Sequence, residues 1–379
     1  MRVKLGDIFE IGSGGTPAKS HPEYYNGDIP WVKTGDLKSE YLFEVENFIT
    51  EEGVENSSAK MYEKDTVLIA MYGATIGATS ILKMSACTNQ ACAAFKKNEK
   101  VIPEYLYYFL KSKKEKFVKD GVGGAQPNIS VGYLKKTEME LPLLKEQRKI
   151  VDILDRISEM VLKRNQEIQL LDDLIKARFV ELFGDPRSNP FGFEKKMLKD
   201  TCKVITGNTP SRAIAEYYGD YIEWIKTDNI VSGILNPTQA TESLSEKGMN
   251  VGRTVEKDSI LMACIAGSIA SIGRVCITDR TVAFNQQINA VVPEQYNILF
   301  LYVLLQMSKD YLVEDINMAL KGILSKSKLE EKEFIIPPMD LQEQFSDFVK
   351  QVDKSKVAVQ KALDETQMLF DSLMQKYFA

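Results

Sequence analysis

The sequence predicts an α+β protein built twice: a strand-rich module and a long helix, then a second module and a second long helix. Three observations predict it. The chain matches itself at an offset of 193 residues. Short alternating apolar segments punctuated by Gly, Asn and Pro fill the first part of each copy. Heptad-spaced apolar residues without Gly or Pro fill the last part.

The repeat is read directly from the letters. Residues 5–36 lie on residues 198–229 without a gap. Of 32 positions 12 are identical: Leu5, Asp7, Gly14, Thr16, Pro17, Glu23, Tyr24, Tyr25, Ile29, Trp31, Lys33 and Thr34. Ordinary residue usage gives about two by chance. The echo continues with small shifts. Asp65-Thr-Val-Leu answers Asp258-Ser-Ile-Leu, Asn89-Gln90 answers Asn285-Gln286, and Leu141-Pro142 with Glu146-Gln147 answers Ile336-Pro337 with Glu343-Gln344.

Within a copy, residues 29–32, 66–71 and 91–95 read as strands, and residues 104–119 and 296–311 as helices. From residue 143 the period changes. Ile150, Leu154, Ile157, Val161, Ile168, Leu171, Ile175 and Leu182 recur at threes and fours, with Arg164 and Arg178 in the same stripe, until Gly184-Asp-Pro stops the helix. At 1.5 Å per residue the segment spans roughly 60 Å. Its counterpart carries Phe345, Phe348, Val352, Val359, Ala362, Leu369 and Leu373. Neither helix is apolar all round, so each needs a partner. An antiparallel pair joining the modules is expected, related by an internal pseudo-twofold. The expected boundaries are 1–142 for the first module, 143–183 for the central helix, 184–340 for the second module and 341–379 for the last helix.

Composition excludes several classes. Of 379 residues 44% are hydrophobic and 27% charged, ordinary for a globular chain. The net charge is −5. Residues 1–142 hold 18 basic and 19 acidic side chains and residues 184–340 hold 17 and 20, so neither module carries the basic footprint of an autonomous nucleic-acid binder. The five cysteines form no CxxC pair and read as reduced thiols of a cytoplasmic protein. The one histidine, His21, excludes a histidine-rich zinc site and reads as an exposed loop residue. The most apolar run, residues 66–82, is broken by Gly73 and Gly77 and reads as buried strands, not a membrane span.

Chemical motifs are sparse. The Gly-Ser-Gly-Gly-Thr-Pro run from Gly12 has Pro17 where a dinucleotide loop needs glycine, so it reads as a tight turn. Asn189-Pro-Phe-Gly resembles an amino-methyltransferase motif but follows no AdoMet-type glycine loop, and reads as a linker turn. No residue set assembles a nucleophile, a base and an oxyanion site, so no catalytic or metal-ligating residue is expected. What remains is duplicated and polar. The candidates for DNA contact are Thr16, Lys33, Thr34, Asp36, Gln126 and Asn128 in the first copy. In the second they are Thr209, Lys226, Thr227, Asn229 and Lys321. Lysine reads guanine edges, Asn and Gln read adenine, and Thr contacts phosphate or a thymine methyl. Within the repeated turn Asp36 becomes Asn229 and Gly35 becomes Asp228, as two readers of different targets would.

These features together resemble the specificity (S) subunits of type I restriction–modification systems over essentially the whole chain. The carriers are the module–helix–module–helix order, the Gly-x-Thr-Pro turn at Gly14, Glu23-Tyr-Tyr, Trp31-x-Lys-Thr, and the Pro followed by Glu-Gln opening each helix. The resemblance implies two target recognition domains, each reading half of a split double-stranded DNA site. It implies a coiled-coil spacer with Ile150, Leu154, Ile157, Val161, Ile168, Leu171, Phe348, Val352, Val359, Leu369 and Leu373 in its seam. The implied partners are two adenine-methylating modification (M) subunits and restriction (R) subunits. AdoMet, ATP and Mg would sit on those partners, with no cofactor in this chain. The second copy lacks the Gln-Pro-Asn of the first, so that loop's role does not transfer. A rod carrying two protein- or glycan-binding modules fits the same letters, as does an S-like subunit of another DNA-modification defence system.

Overall fold

The structure is a computed structural model and describes residues 1–121, 128–314, 316 and 322–379. It divides into two compact units, Met1–Arg164 with Ala362–Ala379, and Asn165–Lys361. Each unit therefore contains one strand-rich body, part of its own following helix and part of the other long helix.

In the first unit a five-stranded sheet runs in the order Ile11–Ser13, Cys92–Phe95, Val67–Ala70, Thr79–Leu82, Tyr41–Leu42. Val67–Ala70, Thr79–Leu82 and Cys92–Phe95 are buried at every position. Side chains alternate between sheet faces. One face, with Val67, Ile69, Ala93 and Phe95, packs on the helix Pro103–Ser112. The other, with Leu68, Ala70, Cys92 and Ala94, packs on Val32 and Tyr62 of a second, four-stranded sheet. Both faces are covered, which explains apolar runs in place of strict alternation. The second sheet has one parallel pair, Trp31 beside Cys87 and Val32 beside Thr88.

The second unit repeats this plan. Cys202–Thr206, Ile288–Pro293, Ile260–Ala263 and Val275–Ile277 form a sheet in the same relative order. Ile260 and Met262 face the helix Ile298–Met307, while Leu261 and Ala263 face the second sheet. Trp224 and Ile225 again pair in parallel, with Ala283 and Phe284. The shorter helices differ from expectation in one detail. Each is broken, at Lys113 and at Ser308, where ψ rises to 1° and 14°.

The long helices are Leu144–Phe183 and Met339–Phe378, 40 residues each. In the first unit Val151, Leu154 and Ile157 share a core with Phe370, Met374 and Phe378, and Ile150 and Leu373 pack at its edge. Arg164 donates to the Ala362 carbonyl and the Thr366 hydroxyl. In the second unit Asp172 pairs with Lys356 at 2.5 Å while Phe179 meets Phe345 edge-on at 5.6 Å, so the two segments run antiparallel there. Val161, Ile168, Leu171 and Val359 are half-buried; Phe348 lies beneath the Arg178 guanidinium, and Val352 is buried.

Leu369 is a correction. It is 51% exposed, and the buried stripe passes through Leu363, Thr366, Phe370 and Met374. Apolarity alone favours Ala362 and Leu369. The packed phase lies one residue further on because Thr366 is tolerable inside: its hydroxyl donates to the Ala362 carbonyl at 2.7 Å and accepts from Arg164. The helix openings also realign. Gln147 is fully buried; it accepts from the Ile102 N–H at 2.9 Å and donates to the Lys100 and Pro142 carbonyls. Its structural match is Gln342, which accepts from the Asn297 N–H and donates to the Pro337 carbonyl. Gln344 is exposed.

Candidate nucleic-acid interface

Each body sets the repeated Thr-Pro turn against the Trp-x-Lys-Thr strand, and in the first body the two frame a polar cleft. In the first copy the turn approaches the neighbouring strand so closely that a Cβ on Gly14 would lie 1.8 Å from the Thr88 carbonyl oxygen. Only glycine fits such an approach. That contact sets Thr16 against Gln90, to whose side-chain oxygen its hydroxyl donates. Tyr25 donates to the Pro17 carbonyl, and the Trp31 indole N–H to the Gly15 carbonyl at 3.1 Å. The resulting open cleft, about 520 Å³, is lined by Thr16, Lys19, Tyr25, Trp31, Lys33 and Gln90 among others. The second copy repeats each contact. Gly207 would clash with the Asn285 carbonyl, Thr209 donates to Gln286, Tyr218 to the Pro210 carbonyl at 2.7 Å, and the Trp224 indole to the Asn208 carbonyl at 3.3 Å.

The lysines stand at the mouth of these clefts. Lys33 lies 4.9 Å above the Trp31 ring and donates to the Asn47 side-chain oxygen at 2.6 Å. Lys226 lies 5.2 Å above Trp224 and pairs with the carboxylate of Glu242, which Arg212 also contacts at 2.6 Å. The Lys226 hydrogen bond holds the Glu242 carboxyl below the usual carboxylate range, and Arg212 adds to it. Asn47 and Glu242 are structural equivalents, because their backbone carbonyls accept from Trp31 N–H and Trp224 N–H respectively.

The Lys-Thr turns behave differently from the sequence expectation. The Asp36 carboxylate accepts from the Lys33 N–H at 2.7 Å, and Asn229 accepts from the Lys226 N–H at 3.0 Å. Asn229 is only 8% exposed and donates to Thr238 and the Gln239 carbonyl. Asp36 and Asn229 therefore hold the same turn, and a base-reading role for Asn229 is corrected to a structural one. The exposed, divergent tip is the preceding residue, Gly35 in one copy and Asp228 in the other. Thr34 and Thr227 are half-buried beside it, and the Thr227 carbonyl accepts from Arg274 at 3.2 Å. Asn128 is exposed and pairs through its backbone with Tyr72. Gln126 and Lys321 lie outside the described residues.

Sequence reasoning missed Lys19, Arg212, Asn47, Glu242, Gln90 and Gln286 as cleft residues. The 193-residue offset does place Lys19 on Arg212, and Asn89-Gln90 repeats as Asn285-Gln286, so those signals were present. Asn47 and Glu242 were hidden because their offset differs from 193.

Other chemistry is quiet. All five cysteines are free and buried, and burial pushes the Cys87 thiol up to about 11. Among the described residues no cluster of His, Cys, Asp or Glu could hold a metal ion, and no helix is long and apolar enough to cross a membrane. His21 is exposed, bonds Glu23 at 2.7 Å and stacks on Tyr24.

One polar framework, repeated contact for contact on two strand-rich bodies that pack against long helices, defines a duplicated module. Comparison with known proteins gives that class its family. The sequence profile described as the type I restriction modification DNA specificity domain matches residues 1–171 and again 190–366. The chain is similar to the type I restriction enzyme MjaIX specificity subunit of Methanocaldococcus jannaschii, 28% identical over an alignment covering 98% of this chain and 91% of the relative. It is 35% identical to the HindI specificity subunit of Haemophilus influenzae over 31% of this chain and 25% of the relative. Its fold is similar to that of the S subunit from M. genitalium, with a TM-score of 0.58 at 16% identity, covering 100% of this chain and 96% of that one. A second structure, from work on complex assembly and conformational transition of the type I R-M system, gives 0.62 at 17% identity, covering 100% and 97%. The chain belongs to the family of type I restriction–modification specificity subunits.

Proposed function

We propose that this chain is the sequence-reading subunit of a type I restriction–modification complex. Its two bodies read the two halves of an asymmetric, split DNA site. The observation that carries this reading is the duplicated turn: one framework, repeated contact for contact, with different residues facing the lysine. Identical copies would read a symmetric target; divergence at Gly35 and Asp228, and at Asn47 and Glu242, gives each half-site its own reader.

The two 40-residue helices act as a spacer of the coiled-coil type, related by a pseudo-twofold, which sets the gap between half-sites as dimer spacing does elsewhere. The modules are the segments 1–142 and 184–340, and the spacer the segments 143–183 and 341–379. Simultaneous engagement raises affinity only at the matching gap. Near-neutral modules leave part of the phosphate clamp to two M subunits, which supply AdoMet and methylate adenine after flipping it out. R subunits supply ATP- and Mg-dependent steps, and this chain contributes no catalysis. The complex works in the cytoplasm, where the chromosome is.

Methylome sequencing of cells expressing this chain with its M subunit tests the reading. The expected result is adenine methylation at one bipartite motif with two different halves and a fixed gap. Methylation at a continuous or palindromic motif, or none, overturns it.

A further inference from the structure

The two clefts differ at the residue facing the lysine, and that difference is electrostatic. In the first copy Lys33 meets the neutral amide of Asn47, where the second copy has a carboxylate. Lys19 stands in the same cleft. In the second copy Lys226 and Arg212 share the single carboxylate of Glu242. Arg212 also lies 4.5 Å from the Tyr218 ring centre and 5.2 Å from that of Trp224. The second cleft thus keeps two cations but cancels one.

A lysine already paired must give up its carboxylate to reach a phosphate, while one held by an amide exchanges one neutral oxygen for a charged one. We propose that the two clefts load the DNA backbone unequally: Lys33 takes a phosphate, and Glu242 withholds Lys226 from one. Glu242 is a specificity-determining residue on this view. It lowers the sequence-independent part of binding in the second body, so that base contacts carry more of its affinity. The inference rests on the reading that these clefts face DNA.

Two near-isosteric charge exchanges, E242Q and N47D, and two lysine truncations test it. The assay is equilibrium binding of the full chain, assembled with its M subunit, to a duplex bearing the motif found by methylome sequencing, across 50 to 200 mM salt. Each phosphate contact contributes about 0.9 to the slope of log affinity against log salt. E242Q should steepen the slope by about 0.9, and the double variant E242Q/K226A should return it. N47D and K33A should each flatten it by about 0.9. An unchanged or flatter slope for E242Q, with N47D and K33A behaving as expected, overturns the unequal loading while leaving the clefts on DNA. Unchanged slopes for all variants, with binding retained, overturn it by taking the clefts off the backbone; recognition by this chain then stands. Failure of the unmodified complex to bind any bipartite duplex removes the underlying reading itself.

Discussion

The two copies are alike in the contacts that hold the Thr-Pro turn and unlike in the residue that faces the lysine. In both, a Thr hydroxyl holds a Gln, a Tyr hydroxyl holds a Pro carbonyl, and a Trp indole holds the carbonyl of the turn. The Tyr and Trp donors among these are part-buried or buried, and leaving one of them without its acceptor would cost about 1–3 kcal/mol. Beside the lysines the partner changes, with Asn47 facing Lys33 and Glu242 facing Lys226. The same contrast appears beneath the bodies. The second unit closes over Phe179, Phe183, Phe300 and Phe345, with ring centres 4.8 to 6.4 Å apart. The first closes over Tyr105, Phe109, Met374 and Phe378, with the half-buried Ile150 at its edge.

The largest way to break the comparison is at that base. Phe345→Ala should destabilise the second unit by about 3–5 kcal/mol, and Ile150→Ala, its partly exposed counterpart, should cost the first about 2 kcal/mol. Urea titration of the full chain reads both; equal losses would erase the distinction. The glycines of the Thr-Pro turns should instead behave alike. Gly14→Ala and Gly207→Ala each force a Cβ into a backbone carbonyl, at 1.8 and 2.1 Å, and each should cost about 1–3 kcal/mol. A mild effect in one copy would show that its turn is not held as described.

Smaller effects sharpen the comparison. Asn229→Ala removes three hydrogen bonds from a buried side chain and should cost about 2 kcal/mol, against about 1 kcal/mol for Asp36→Ala, which removes a cap. Thermal melts with DNA binding measured alongside should show lost stability with half-site preference retained. The smallest effect is pH-dependent. Glu40 occupies the position of Leu235, since Ile81 N–H and Ile277 N–H donate to their carbonyls. Burial raises the Glu40 carboxyl above its ordinary 4.5, and Asp155 and Glu104 add to it against Tyr41 and Lys111. The folded chain then keeps this proton where the unfolded chain has lost it, so stability falls as pH rises past 4.5 through the folded value. Glu40→Gln should raise the melting temperature at pH 7, with the gain vanishing below 4.5; a gain independent of pH would assign it to packing.

Much of this was legible beforehand. The offset repeat, the strands at residues 66–71 and 91–95 and both long helices follow from periodicity and turn chemistry, which act over a few residues. The Thr-Pro and Trp-x-Lys-Thr segments stood out because burial constrains them in both copies. Asn229 misled because divergence at a turn looks like divergence in reading, yet Asp and Asn both accept the same backbone hydrogen bond. Leu369 misled because a helix with polar members in its stripe has more than one plausible phase, and Thr366 settles it through a bond to the opposing Arg164.

By itself, then, the sequence determined the duplication, the order of bodies and helices, the helix lengths and the near-neutral charge of each body. Local spacing and composition suffice for those. The tertiary structure alone decided which carboxylate faces which lysine, which Gln anchors the second helix and which residue tips each turn. Those depend on strands and loops brought together from 14 to 77 residues apart, across shifts in register that no pattern of neighbours records.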